Sequence, residues 1–169
     1  QFGYSVASAG DANGDGVPDL VVGAPLRTNG GRVYLIYLSS VGPYPMNISG
    51  GDFTFLAESV DDKFGLSVTS VGDITGDNRS DVAIGAPQSL VDTGYVKVYN
   101  GFTGALITRI SGTGIMEDFG ISIAGIGDVT NDGLADLLVG APSHDVPLTN
   151  CGAFYIVNPA TGLHLQTRS

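Results

Sequence analysis

The chain has 169 residues, 43% of them hydrophobic and 14% charged, with 26 glycines and a formal charge of −10. That hydrophobic content excludes disorder by composition, seven scattered Lys and Arg exclude a phosphate footprint for nucleic acid, and no apolar run is long enough to span a membrane. A single cysteine, Cys151, excludes an internal disulfide.

The length suits one ordinary domain with a sizeable core. Frequent glycine, little charge and no sustained helical periodicity favour short strands joined by tight turns. The negative charge reads either as a solvated acidic surface or as ligands for cations; three divalent ions would reduce it to −4.

In chain order, residues 2–25 read FGYSVASAGDANGDGVPDLVVGAP. A first strand carrying Phe-Gly-x-Ser runs into an acidic loop, and a second strand ends on Gly-Ala-Pro. GRVYLIY (31–37) follows, with Val33 and Leu35 alternating against their neighbours as in a strand with one buried face. A long loop, SSVGPYPMNISGGD, then leads to a fourth strand. The pattern returns at 64–87 (FGLSVTSVGDITGDNRSDVAIGAP) with GYVKVYN (94–100), and at 119–142 (FGISIAGIGDVTNDGLADLLVGAP) with GAFYIVN (152–158). Ten of the 24 opening positions are identical in all three copies. In the second and third units NGFTGAL and NPATGLH provide a Gly-containing turn into the fourth strand. Four strands per unit, three units in tandem, predict an all-β chain of three four-stranded antiparallel propeller blades at about 1–60, 61–115 and 116–169. A repetitive β-sandwich is the competing architecture.

Each acidic loop places oxygen-bearing side chains at relative positions 1, 3, 5 and 9. The first offers Asp11, Asn13, Asp15 and Asp19 with the carbonyl of Val17. The second offers Asp73, Thr75, Asp77 and Asp81 with that of Arg79, and the third Asp128, Thr130, Asp132 and Asp136 with that of Leu134. Carboxylate, amide, hydroxyl and carbonyl oxygens in a flexible cage suit Ca²⁺, up to three ions. Mg²⁺ favours fewer protein ligands, and zinc would want His or Cys, which the loops lack. An EF-hand is rejected, because the Glu at position 12 and the flanking helices are missing. Turns satisfied by their own backbone are the alternative. Position 6 needs a left-handed backbone, supplied by Gly16, Asn78 and Gly133, so the first site is expected to be the best ordered and the second the most strained.

Phe-Gly and Gly-Ala-Pro flanking such a loop resemble the FG-GAP repeat of integrin alpha subunits and related extracellular propellers. The resemblance implies a seven-bladed propeller with calcium loops on one face, partner-binding loops on the other, and a secreted or cell-surface location. Three blades do not close a ring. With a start at Gln1 rather than Met, the chain reads as part of a longer propeller or as a unit completed by oligomerisation.

The expected function is a non-catalytic, extracellular calcium-binding module for cell-adhesion-type interaction with a protein or glycan. Two alternatives stand beside it: a structural subunit that binds copies of itself in a fibre or coat, and an accessory domain of a secreted enzyme. His144-Asp145 and the many serines do not make a hydrolase, since there are only two histidines and no nucleophile elbow; His144 reads as an exposed loop residue. Asn47-Ile48-Ser49 is a glycosylation sequon in the long loop, whereas Asn78-Arg79-Ser80 lies inside a metal loop and reads as chance. Cys151 reads as a buried or half-buried thiol, with an intermolecular disulfide as the alternative. Tyr34, Tyr37, Tyr95 and Tyr99 read as strand packing.

Overall fold

The computed structural model describes residues 2–40, 52–87, 93–144 and 151–168. Asn47 and Asp145 lie outside them. Twelve strands form three separate four-stranded sheets. The first holds β1 (Ser5–Gly10), β2 (Asp19–Ala24), β3 (Arg32–Ile36) and β4 (Phe53–Leu56). The second holds β5 (Ser67–Gly72), β6 (Asp81–Ala86), β7 (Tyr95–Tyr99) and β8 (Leu106–Ser111). The third holds β9 (Ser122–Gly127), β10 (Asp136–Ala141), β11 (Ala153–Val157) and β12 (His164–Arg168). Every sheet is an antiparallel meander in sequence order. These are the three blades expected from the repeat. No helix is long and apolar enough to cross a membrane among the described residues.

The first strands, β1, β5 and β9, lie side by side, so the sheets radiate from a common inner edge. Because each sheet is an up-and-down meander, the β1–β2, β5–β6 and β9–β10 loops share one rim with the turns before the fourth strands. The β2–β3-type turns and the crossings between blades occupy the opposite rim.

Two seams make up most of the core. Val21, Val33, Leu35 and Phe55 of the first blade pack against Phe64, Ile84 and Tyr95 of the second. Ala83, Val96, Val98 and Ile110 of the second pack against Phe119, Leu137, Val139 and Tyr155 of the third. Phe55 stacks on Tyr99 at 4.2 Å between ring centroids, and Phe119 meets Tyr155 edge-on at 5.1 Å. Tyr34, Tyr95 and Tyr99 are buried and Tyr37 half-buried, as strand packing requires.

One irregularity recurs at the same place in each blade. The pairing of first and second strands skips one residue just before Gly10↔Asp19, Gly72↔Asp81 and Gly127↔Asp136. These three glycines have φ of 69°, 68° and 70°, a left-handed conformation that a residue with a Cβ adopts at a cost. The bulge ends the strand at the mouth of each acidic loop.

Candidate metal loops

The first residue of each loop folds the backbone around its own carboxylate. Asp11 Oδ1 accepts the Gly14 and Asp15 N–H groups at 2.6 and 3.1 Å, and its Oδ2 accepts that of Gly16 at 2.8 Å. Asn13 Oδ1 accepts from Asp15 N, and Asp15 Oδ1 from Val17 N. Asp19 is fully buried; Oδ2 accepts from Ala12 N at 2.9 Å and Oδ1 from Leu38 N at 2.7 Å. Position 9 thus ties the loop to the strand that leaves β3.

The second loop repeats this with more partners. Asp73 Oδ1 accepts from Thr75, Gly76 and Asp77, and its Oδ2 from Asn78. Asp77 Oδ1 accepts from Arg79 N, and Asp81 accepts from Ile74 N and Gly101 N. The Asn100 side-chain amide donates to Thr75 Oγ1 and to Asp77 Oδ2, at 3.2 and 3.0 Å. In the third loop Asp128 accepts, among the described residues, only from Asp132 N and Gly133 N, Asp132 Oδ1 accepts from Leu134 N, and Asn158 donates to Asp132 Oδ2 at 2.7 Å. Asp136 Oδ2 accepts from Val129 N and Thr130 N. Position 6 is left-handed in all three, with Gly16, Asn78 and Gly133 at φ 85°, 61° and 88°.

Asn100 and Asn158 escaped the sequence reading as parts of the loops. Their signal in the sequence is the Asn shared by NGFTGAL and NPATGLH, a position that turn chemistry alone already accounts for. Each Asn does both tasks: its side-chain oxygen accepts two N–H bonds in its own turn while its nitrogen reaches the position-5 Asp. Tyr37 stands in their place in the first unit, and its hydroxyl donates to Gly101 O at 2.6 Å instead.

Electrostatics set two kinds of carboxylate apart. Burial pushes Asp19 above the ordinary range, against the Leu38, Ala12 and Asn13 N–H groups that lower it, and the Asp15 charge adds to the rise. Burial does the same to Asp81, reinforced by the charges of Asp77 and Asp73. Asp73 behaves oppositely. Burial raises it, but the N–H bonds from Asn78, Gly76, Asp77 and Thr75 together carry it below the ordinary range.

By donor type the loops fit a hard cation. Every side chain named at positions 1, 3, 5 and 9 offers oxygen, the acidic neighbours repel one another, and no ion pair among the described residues falls on a loop carboxylate. The carbonyls of Val17, Arg79 and Leu134 accept no hydrogen bond from any described residue. Among the described residues no group of three or more His, Cys, Asp or Glu side chains converges as a metal cage, and the loops close on their own backbone N–H groups. A carboxylate has about four lone-pair sites, so Asp11, Asp19, Asp128 and Asp136 retain unused acceptor capacity.

Two expectations are corrected on the opposite rim. His144 is buried rather than exposed. Its Nδ1 lies 2.6 Å from Glu117 Oε2, and Tyr155 donates its hydroxyl to the same oxygen at 2.9 Å. Glu117 sits two residues before Phe119, as Asp62 sits before Phe64, and Asp62 receives the Tyr95 hydroxyl. An acid at this position organises the crossing between blades, and His144 is drawn in by it. Cys151 is exposed rather than buried, at the entry to β11.

Comparison with known proteins agrees with this architecture. The family model described as FG-GAP repeat matches residues 2–36, 64–99 and 119–157, more than half of the chain. Human integrin alpha-6 is 35% identical over 158 residues, 87% of this chain and 13% of that protein. Integrin alpha-5 of Xenopus laevis is 36% identical over 166 residues, 89% of this chain and 16% of its own length. Integrin alpha ina-1 of Caenorhabditis elegans is 33% identical over 174 residues, covering 84% and 15%. The chain therefore spans well under a fifth of the length of these relatives. Three matched units, each on one four-stranded sheet, place the chain in the FG-GAP repeat family.

Proposed function

We propose that the chain is a calcium-braced, extracellular propeller segment that serves adhesion-type binding to a protein or glycan, without catalysis of its own. The observation that carries this reading is the stack of three oxygen-only loops in register on one rim. Asp11, Asn13, Asp15, Asp19 and the Val17 carbonyl would hold the first ion. Asp73, Thr75, Asp77, Asp81 and the Arg79 carbonyl would hold the second, and Asp128, Thr130, Asp132, Asp136 and the Leu134 carbonyl the third. The bound ion would supply charge compensation to neighbouring carboxylates, which suits a brace.

With the metal rim stiffened, the other rim presents the turns after β2, β6 and β10 and the crossings between blades. That is the surface assigned to the partner, as in the integrin alpha relatives a cell-surface location is the natural setting. The Asn47 sequon is consistent with that setting.

The test is calorimetric titration of calcium into chelator-treated protein. Up to three sites and a rise in melting temperature are expected; at a hundredfold excess over Kd each site adds about 2.7 kcal/mol. Heat and melting temperature that stay flat through millimolar calcium would refute the brace. Partner capture from cell-surface ligands that ignores chelator would separate binding from metal.

A further inference from the structure

The two seams between blades are closed by the same small device. Ser5 Oγ donates to the Gly65 carbonyl in the first and Ser67 Oγ to the Gly120 carbonyl in the second, each at 2.7 Å. A Cβ added at Gly23 or Gly85 would collide with the backbone of Gly65 or Gly120. At the metal rim the two seams differ.

Across the first seam the acidic loops touch. Ser80 N donates to Asp11 O at 2.9 Å, and Arg79 Nε donates to Asn13 O at 3.0 Å. The guanidinium rests on the Phe102 ring, 3.7 Å from its centroid, and lies so close to the first loop that a Cβ on Gly14 would come within 2.9 Å of Arg79 Nε. Tyr37, just after β3, adds a tie between the blades, its hydroxyl donating to Gly101 O at 2.6 Å. Small residues permit the approach: a Cβ on Gly101 would fall 2.0 Å from Ser80 O and 2.9 Å from the Ala12 methyl.

Across the second seam no hydrogen bond joins residues 73–81 to residues 128–136 among the described residues. The sequence supplies the reason. Leu134 stands where the second loop has Arg79, so no side-chain donor reaches across, and Ala160 stands in the place of Phe102. Ile74 and Pro159 take the places of Ala12 and Gly101. Ile74 and Ala160 join the apolar core of this seam, and the larger side chains fill the space through which the first two loops meet.

Arg79 therefore has two attachments. Its carbonyl is a candidate ligand on the second loop, and its side chain is bonded to the backbone of Asn13, a candidate ligand residue of the first. We propose that the first two loops bind calcium as a coupled pair, linked through Arg79 and Ser80, while the third loop binds on its own. This rests on the calcium reading of the loops. Ordering residues 77–81 fixes the stem of Arg79 and the Ser80 N–H, which hold the Asn13 and Asp11 carbonyls, so less chain entropy remains to be lost when the first loop closes. The coupling is reciprocal: whatever the second site does for the first, the first does for the second. Repulsion between two cations acts in the opposite sense and is screened by salt. With two hydrogen bonds as the link, the effect is about fivefold in affinity, the low end of the usual range for linked sites.

The test is a calcium titration of the 169-residue chain in about 0.15 M salt, followed through the backbone amide signals of Gly16, Asn78 and Gly133, one reporter in each loop. Asp77→Asn disables the second site and should weaken the first, read at Gly16, about fivefold. Asp132→Asn disables the third site and should leave Gly16 unchanged. Asp15→Asn should weaken the second site, read at Asn78, by the same factor as Asp77→Asn weakens the first. Arg79→Ala keeps the carbonyl of the second site, and in that background Asp77→Asn should move the Gly16 curve far less than in wild type. Amide spectra in chelator check the fold of each variant. Where an aspartate variant does not fold, the wild-type curves decide, with Hill coefficients above one at Gly16 and Asn78 and of one at Gly133. A Gly16 curve indifferent to Asp77→Asn, or equally sensitive to Asp132→Asn, would overturn the coupling and leave the calcium reading intact. Amides that stay still through millimolar calcium would overturn both.

Discussion

The second and third acidic loops have nearly the same sequence pattern and different surroundings. Each accommodates one left-handed residue that is not glycine, Asn78 in the second and Asn131 in the third, at φ 61° and 60°. The second is nevertheless the more firmly held. Asp73 accepts four backbone N–H bonds where Asp128 accepts two. The second loop also reaches the first: Arg79 Nε donates to Asn13 O at 3.0 Å, Ser80 N donates to Asp11 O, and the guanidinium lies 3.7 Å above the Phe102 ring. The third loop has Asn158 as its outside support. Residue type alone therefore does not describe how each loop is held: the bonds within the loop and those from the neighbouring blade add to it.

The largest expected contrast comes from deleting position 9. Asp81→Ala leaves two buried N–H groups, Ile74 and Gly101, without an acceptor and should destabilise by about 2–6 kcal/mol, at about 1–3 kcal/mol per orphaned group. Asp136→Ala exposes the Val129 and Thr130 N–H groups in a solvated loop and should lose about 1 kcal/mol. Urea unfolding of both variants in chelator checks this, and equal losses would erase the difference between the loops.

Next is the removal of the outside amide. Asn100→Ala should loosen both its own turn and the second loop, by about 2 kcal/mol, with Asn158→Ala behaving similarly in the third. In calcium titrations each variant should weaken the site of its own loop most, which shows whether Asp77 and Asp132 are oriented from outside their loops.

A smaller effect sharpens the comparison further. Arg79→Ala should lose about 1 kcal/mol from one hydrogen bond and the ring contact. Its signature lies in the neighbour: amide exchange at Gly14–Val17 should accelerate more than exchange within 75–78. Arg79→Lys keeps charge without the planar fork and should resemble Ala.

The smallest effect is a pair of opposite pH dependences in calcium-free solution. The folded pKa of Asp81 is raised, so the folded state binds its proton more tightly, and keeping the group ionised costs stability above that pKa. The gap between wild type and Asp81→Ala should widen as pH falls through the raised value toward 3.8. Asp73 is lowered, so its contribution is present above 3.8 and is lost as pH falls through its folded value. Its gap should narrow. Chemical denaturation at stepped pH, with both variants beside wild type, separates the two signs.

The blades and the loop positions were legible because they are local and repeated: alternation sets the strands, and Asp spacing with glycine sets the turns. What the sequence hid is what depends on partners far along the chain. His144 read as exposed because nothing near it in sequence is acidic except Asp145, while the group that buries it, Glu117, lies 27 residues away in the crossing. Cys151 read as buried or half-buried from its place at a strand entry, whereas it is exposed there. The serine of Phe-Gly-x-Ser was visible in all three copies; that its hydroxyl serves the following blade could be seen only once two blades were docked.

The close approach of Gly23 to Gly65 and of Gly85 to Gly120 makes blade spacing a property of main chain against main chain. No pair of side chains has to be matched across that point. A unit of this kind behaves as an interchangeable cassette: the turns on either rim can diverge, lengthen or be swapped between copies while the pitch of the array stays fixed. Duplication and recombination thus become inexpensive routes to new binding surfaces, since each added blade arrives with its own connector already in place.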